Sequence, residues 1–138
     1  MDCESGLPDW PCVVIHGLGD AARALCLARP VCLLSAPSAA RTGGVFWWRA
    51  LIEAARAGAP NVPMIDVLDC GTAPGLAMAA LRAGQRHLVL ERSLVAWHRV
   101  AAAAGEIGAV ALPSRPSALD LGARGAERHL AAHLVAPS

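Results

Sequence analysis

The sequence predicts a single α/β domain built on a parallel sheet. A short apolar run, a Gly/Ser/Pro turn and an alanine-rich amphipathic stretch recur about five times along the chain, a pattern typical of strand–helix units. The chain has 138 residues, 55% of them apolar, which is the length of one domain and enough apolar material for one core. These observations favour an α/β fold over all-α and all-β folds.

The predicted strands are runs of consecutive apolar residues, as expected for strands covered on both faces. They lie at 12–16, 31–35, 62–69, 87–91 and 109–112. The predicted helices begin after turns rich in glycine, serine and proline. They lie at about 20–29, 45–57, 74–83, 93–104 and 123–134. Residues 1–11 are predicted to be an irregular arm, and residues 1–138 a single domain.

Capping residues predict where several of these helices begin and end. Asp20 is a suitable N-cap for the first helix, and Ser93 for the helix after the fourth strand. Pro74 suits a first helical position, with Gly84 just past the end of that helix. Gly105 is predicted to provide the left-handed exit of the helix that begins near Ser93.

The predicted strand order is 2-1-3-4-5, the commonest order of a small doubly wound, flavodoxin-like sheet, with helices on both faces. In this Rossmann-like arrangement all strand–helix loops lie at one edge, where open α/β sheets bind ligands. The first and third strands are neighbours in that order. His16 is therefore expected beside Asp69 and Cys70.

Small residues at helix starts along this edge predict a site for a small anionic or phosphorylated ligand, because free N-terminal amides favour anions. The candidate ligand-binding residues are Gly17, Gly19, Asp20, Ser35, Gly71, Thr72 and Glu91. The segment 17–22 also matches the G-x-G-x-x-A form of the dinucleotide fingerprint. That match is partial, because Ser35 stands where the acid of an NAD site would be. The identity of any cofactor is left open.

Cys70, His16 and Asp69 form the candidate catalytic group. A thiolate at a helix N-terminus would be stabilised by free amides and by an imidazolium that Asp69 orients. The alternative function is therefore a small thiol-dependent hydrolase or transferase. The competing interpretation is that Cys70 is a small buried residue.

Trp47 and Trp48 are adjacent and cannot both point into the core. Trp48, Ile52 and Ala55 lie on one stripe of the helix, and Trp47, Leu51 and Ala54 lie beside it, so one tryptophan is expected in the core and the pattern leaves open which. The other tryptophan would cover the ligand edge or join a partner surface, so a third hypothesis is a scaffold that forms a homodimer through this helix. No metal site is predicted.

Charge and composition exclude some classes of partner. Twelve basic residues, all arginine, are balanced by eleven acids, so nucleic acid and anionic membranes are not expected partners. Residues 1–5 lack the pattern of a signal peptide and no apolar run is long enough to span a membrane. Five cysteines without a CxxC pair are interpreted as reduced thiols. Cytoplasmic localisation is the expectation.

Three resemblances accompany this interpretation. The pattern from Gly44 to Glu91 (a helix, Pro60-Asn61-Val62-Pro63, an apolar strand, Ala80-Leu81-Arg82-Ala83-Gly84 and Leu88-Val89-Leu90) resembles the later half of a bacterial response-regulator receiver domain. Ser35, Asp69 and Glu91 replace that family's functional residues, so this resemblance implies the fold and not phosphotransfer.

The segment 13–19 resembles the strand and His-Gly oxyanion loop of α/β-hydrolases, but no G-x-S-x-G elbow is present. The alanine- and arginine-rich, lysine-free composition resembles small uncharacterised alphaproteobacterial α/β proteins. The latter resemblance implies a bacterial protein and no particular activity.

Overall fold

The computed structural model describes residues 6–135 and contains one parallel sheet of six strands with helices between them. The strands are β1 (Cys12–Val14), β2 (Val31–Leu34), β3 (Met64–Asp69), β4 (His87–Val89), β5 (Val110–Leu112) and β6 (Ala118–Asp120). The helices are α1 (Leu18–Leu25), α2 (Ala39–Thr42), α3 (Val45–Gly58), α4 (Pro74–Arg82), α5 (Trp97–Glu106) and α6 (Glu127–Val135). The predicted α/β class and parallel sheet are confirmed.

Apolar runs and helix stripes produce the core as the sequence predicts. Every residue of β1 and β2 is buried, in agreement with their unbroken apolar runs. On α3 the stripe of Trp48, Ile52 and Ala55 is buried, with exposures of 0, 0 and 4%, so Trp48 is the core tryptophan, a choice that the sequence left undecided. Proline occupies the start of α4, and Gly84, just past its end, has the left-handed φ of 98° that glycine tolerates best.

The predicted strand order is wrong at β1 and β3, which are not neighbours, whereas the predicted pairs β1–β2, β3–β4 and β4–β5 are present. The sheet has the order β5-β4-β3-β2-β1-β6, so β2 lies between β1 and β3. Each of the first four crossovers therefore steps to the next strand in the same direction. The observed order therefore has no switch point between β1 and β3.

The sixth strand was not predicted from the sequence. β6 has three residues, all of intermediate burial, and follows a segment containing two prolines, so it lacks the apolar run that marks the other strands. It pairs in parallel with β1, with Val13 opposite Leu119. The segment 36–44, between the second predicted strand and the second predicted helix, likewise contains a short helix that was not predicted, α2.

Several helix boundaries also differ, each for a local reason. Helix α1 begins at Leu18 with Gly17 as its N-cap, so Asp20 lies within the first turn and does not cap the helix. Ser93 bonds to Glu91 and does not cap α5, which begins four residues later. Gly105 lies within α5, and the left-handed exit is Gly108, with φ of 73°.

The chain divides into two compact units. Unit 1 contains the described residues up to Leu34, Leu51–Asp66 and the described residues from Pro116 onward. Unit 2 contains Ser35–Ala50 and Val67–Arg115. Of the predicted arm, residues 1–5 lie outside the described part of the chain, and residues 6–11 contain no helix or strand.

Candidate functional site

A tight turn at Gly71 follows β3 in unit 2. The Gly71 N–H donates to Asp69 Oδ1 at 2.7 Å, and its carbonyl accepts from the Glu91 N–H at 2.9 Å. Gly71 has a φ of 56°, in the left-handed region. A Cβ at this position would lie 2.3 Å from Ser38 Oγ. Both the backbone angle and the close approach of Ser38 therefore favour glycine here.

An ion pair between Asp69 and Arg115 fixes the end of β3. Asp69 is buried, and its Oδ2 accepts from Arg115 Nη1 at 2.7 Å. The same nitrogen donates to the Ser35 carbonyl at 3.0 Å, while the Asp69 N–H donates to Ser35 Oγ at 2.9 Å. The buried carboxylate is thus fully partnered, as a charge removed from water must be.

The turn and the ion pair lie in the wall of a cleft of about 440 Å³. The cleft is lined by Ser38, Asp69, Gly71, Thr72, Val89, Glu91, Pro113, Ser114 and Arg115, all of unit 2. Its size is typical of a site for a small molecule. Two carboxylates and one guanidinium give the lining an excess of negative charge, and three hydroxyl side chains supply further hydrogen-bonding groups.

Glu91 follows β4 and presents an exposed carboxylate to this cleft. Its Oε2 accepts from Ser93 Oγ at 3.2 Å and from the Ser93 N–H at 3.4 Å. Its backbone is held by the bond to Gly71 described above. The side chain is therefore positioned at both ends while it keeps access to solvent.

Cys70 does not have the environment of an activated thiol. Its side chain is buried, with 1% exposure, and Sγ lies 3.9 Å from the Leu68 carbonyl. Burial, with a smaller contribution from the charge of Asp69, raises the pKa of Cys70 to about 12. This direction is opposite to the one that a nucleophilic thiolate requires.

His16 lies in unit 1, whereas Asp69 and Cys70 lie in unit 2. The His16 ring contacts Asp120 through Nε2 and Oδ1 at 2.6 Å, and the Gly122 N–H donates to the same oxygen at 2.8 Å. The partner of the imidazole is thus Asp120, on the unpredicted strand β6. The predicted catalytic group relied on β1 and β3 being neighbours, and the sheet order removes that basis.

The predicted anion loop after β1 is occupied by a side chain of its own. Asp20 Oδ2 accepts from the His16 N–H at 2.8 Å, and Oδ1 pairs with Arg23. Asp20 thus bonds the N–H of His16, the residue before the turn, and brings a negative charge to the start of the helix. Gly17 is the N-cap, in extended backbone with φ of −177°, and Gly19 lies in the first turn of α1; both belong to unit 1.

The remaining predicted ligand-binding residues have different roles. Ser35 is fully buried, and its hydroxyl donates to the Ala36 carbonyl at 3.0 Å and accepts from Asp69. It supports the site without lining the cleft. Gly71, Thr72 and Glu91 do line it.

The predicted division of roles between the two tryptophans is confirmed in part. Trp48 is fully buried, and Trp47 is 39% exposed with its ring against Gly43. A homodimer through this helix stays a prediction. Among the described residues, 6–135, the helices are all too short or too polar to cross a bilayer.

Some site residues were not singled out from the sequence. Ser38 has a left-handed φ of 56° in a loop without a motif, and no sequence signal marks it. Ser114 and Arg115 follow the fifth predicted strand and are therefore expected at the sheet edge, but they were not among the predicted ligand-binding residues. Asp120 was missed together with its strand.

Comparison with known proteins does not place the chain in a family. No protein-family model and no curated protein matches the chain. The resemblances to receiver domains, to the hydrolase loop and to small alphaproteobacterial proteins therefore stay predictions.

Proposed function

We propose that the protein binds a small polar ligand in the unit 2 cleft, and that binding rather than thiol catalysis is its function. The single observation that carries this proposal is the cleft itself, which combines hydroxyl, carboxylate and guanidinium groups around the Gly71 turn. A few convergent polar groups in a concave site of this size are typical of ligand recognition.

The charge of the lining favours a neutral or cationic ligand over an anion. Arg115 is the one cation of the lining, and it already bonds to Asp69 and to the Ser35 carbonyl. The N–H of Gly71, which could hold an oxyanion, donates to Asp69. The anionic ligand expected from the sequence would have to displace these bonds and approach two carboxylates.

An NMR titration tests the proposal. The ¹⁵N-labelled protein is titrated with small polar fragments of matched size in neutral, cationic and anionic sets. We expect neutral and cationic fragments to shift the amide signals of Thr72, Glu91 and Arg115, and anionic fragments to bind at least about tenfold more weakly.

Two variants locate the binding. Ser114→Leu places a bulky side chain in the cleft wall, and Ser117→Leu makes the same change at an exposed residue outside it. Binding should be lost in the first and kept in the second. The proposal fails if no fragment shifts the cleft amides, and its charge preference fails if anions bind best.

A further inference from the structure

The cleft is bordered by a strand–turn–helix–strand unit, and Glu91 follows the second strand of that unit. β3 leads into the Gly71 turn, α4 follows, and the chain returns along β4 to Glu91. β3 and β4 are parallel neighbours, with Asp69 opposite Val89, so the Gly71 turn and Glu91 emerge at the same edge. The Glu91 N–H bond to the Gly71 carbonyl, 2.9 Å long, holds the two together.

This arrangement has a known physical use in nucleotide recognition. In parallel βαβ units that bind dinucleotides, a glycine turn lets the ligand approach the backbone, and an acid about 20 residues later accepts hydrogen bonds from ribose hydroxyls. Glu91 stands twenty positions after Gly71. The loop after β1 fails the same comparison, because Ser35 follows β2 there and is fully buried.

The Gly71 turn differs from a pyrophosphate site in its charge. Asp69 takes the Gly71 N–H that a phosphate would otherwise receive, and its carboxylate would repel one. Glu91 can therefore accept hydrogen bonds from a ribose. The Gly71 N–H, in contrast, is taken by Asp69, and the charge at the turn does not favour a phosphate.

We infer that the ligand is a nucleoside with an intact 2′,3′-diol, bound through the Glu91 carboxylate, and without a 5′-phosphate at the Gly71 turn. This inference rests on the proposed function and names its ligand class. Glu91 is a binding residue in it, since each carboxylate oxygen can accept a ribose hydroxyl.

A binding series tests the inference. Adenosine, guanosine, cytidine and uridine are titrated by NMR against the full chain, and the tightest binder is compared with its 2′-deoxy form and its 5′-monophosphate. We expect the ribonucleoside to bind roughly tenfold or more tightly than its deoxy form, because the deoxy form leaves a charged acceptor without its donor. The monophosphate should also bind more weakly than the nucleoside.

Glu91→Gln assigns the discrimination to one residue. This variant should bind the ribonucleoside about tenfold more weakly and should no longer distinguish it from the deoxy form. Glu106→Gln, an exposed acid of the same unit outside the cleft, is the matched control and should bind as the parent does. Circular dichroism of both variants shows that each is folded.

The outcomes separate this inference from the proposed function. If polar fragments shift the cleft amides and none of the four nucleosides does, the nucleoside inference is wrong and the proposed function stands. Equal binding of ribo- and deoxy-forms, or retained discrimination in Glu91→Gln, overturns the role of Glu91. Tighter binding of the monophosphate overturns the exclusion of phosphate. If neither fragments nor nucleosides bind, both proposals fail.

Discussion

The loops that follow β1 and β3 look alike in sequence and differ in structure. Each consists of a glycine turn between a buried strand and a helix. After β1, Gly17 is in extended backbone, and a Cβ there would meet no atom within 4 Å. After β3, Gly71 has a left-handed φ and touches Ser38.

This difference shows that a glycine motif predicts where a turn lies but does not predict whether the turn binds a ligand. The first loop has the better fingerprint match, but Asp20, paired with Arg23, accepts from the His16 N–H and brings a carboxylate to the turn. The second has no fingerprint match, but it borders a cleft and faces an exposed acid, Glu91, that follows the next strand. The surroundings of each turn, which depend on long-range packing, decide between the two.

Matched glycine substitutions give the largest expected contrast between the loops. Gly71→Ala should lower the free energy of unfolding by about 2–5 kcal/mol, the sum of left-handed backbone strain and overpacking against Ser38. Gly17→Ala should cost at most about 1 kcal/mol, because neither backbone angle nor space opposes it. Urea unfolding followed by tryptophan fluorescence measures both. Equal losses in the two variants would mean that Gly71 is not specially constrained.

Arginine substitutions compare the ion pairs beside the two loops. Arg115→Met leaves the buried Asp69 carboxylate without its cation and should cost about 2–3 kcal/mol, less than for a fully buried pair since Arg115 is 28% exposed. Arg23→Met removes pairs to Asp20 and Glu127 from an arginine that is 46% exposed, and should cost less than about 1 kcal/mol.

A double variant identifies the cause of the Arg115 effect. Replacing Asp69 by Asn in the Arg115→Met background removes the unpaired charge and keeps a side-chain oxygen to accept from the Gly71 N–H, so part of the lost stability should return. If it does not, the loss comes from the missing bond to the Ser35 carbonyl or from packing.

Local pattern predicted most of the elements, whereas the strand order was predicted only in part. Five strands and the two apolar stripes of α3 follow from residue periodicity, which each segment carries within itself. The predicted pairs β1–β2, β3–β4 and β4–β5 are present, and the predicted pair of β1 with β3 is absent. The order 2-1-3-4-5 was a statistical preference with no residue behind it. Strand order depends on which edges meet in the folded chain, and the three-residue β6 shows how little sequence signal such a pairing needs.

The sequence predicted that the site lies at one edge of the sheet, but it did not predict which side chains are in contact there. Gly71, Thr72 and Glu91 were identified because they follow strands, and they line the cleft. Pairing His16 with Asp69 required β1 beside β3, which the sheet order does not provide. The actual partners, Asp120 and Arg115, are far away in sequence, and no local pattern links them to His16 and Asp69.

The Cys70 thiol provides a pH test of the site loop. Its pKa of about 12 in the fold lies above that of an unfolded cysteine, near 8.5–9, so the unfolded chain loses the proton first as pH rises. The stability contribution is complete below pH 8.5 and is lost between pH 9 and 12, at about 1.4 kcal/mol per pH unit. The chain has no lysine and no tyrosine, so few other groups titrate in this range.

Cysteine variants in reducing buffer isolate this effect. Urea unfolding at pH 8, 9, 10 and 11 should give a shallower alkaline loss for Cys70→Ala than for the parent. Part of the alkaline loss of stability should remain in Cys70→Ala, because contact with Cys12 and burial raise the pKa of Cys32 as well. Cys26→Ala, which removes an exposed thiol, is the control. An unchanged slope in Cys70→Ala would indicate that this thiol ionises freely in the fold, which would revive the nucleophile hypothesis.

The His16–Asp120 contact should have the smallest effect, because both side chains are more than 40% exposed. His16→Ala is expected to change the free energy of unfolding by less than about 1 kcal/mol, as for other exposed pairs. A Cβ at Gly122 would lie 2.6 Å from His16 Nε2, but the exposed ring can move away, so Gly122→Ala should be similarly mild. The double variant should be no less stable than Gly122→Ala alone, since the clash is then absent. A loss above about 2 kcal/mol in either single variant would show that the β1 edge is held as firmly as the Gly71 turn, and the contrast between the two loops would be wrong.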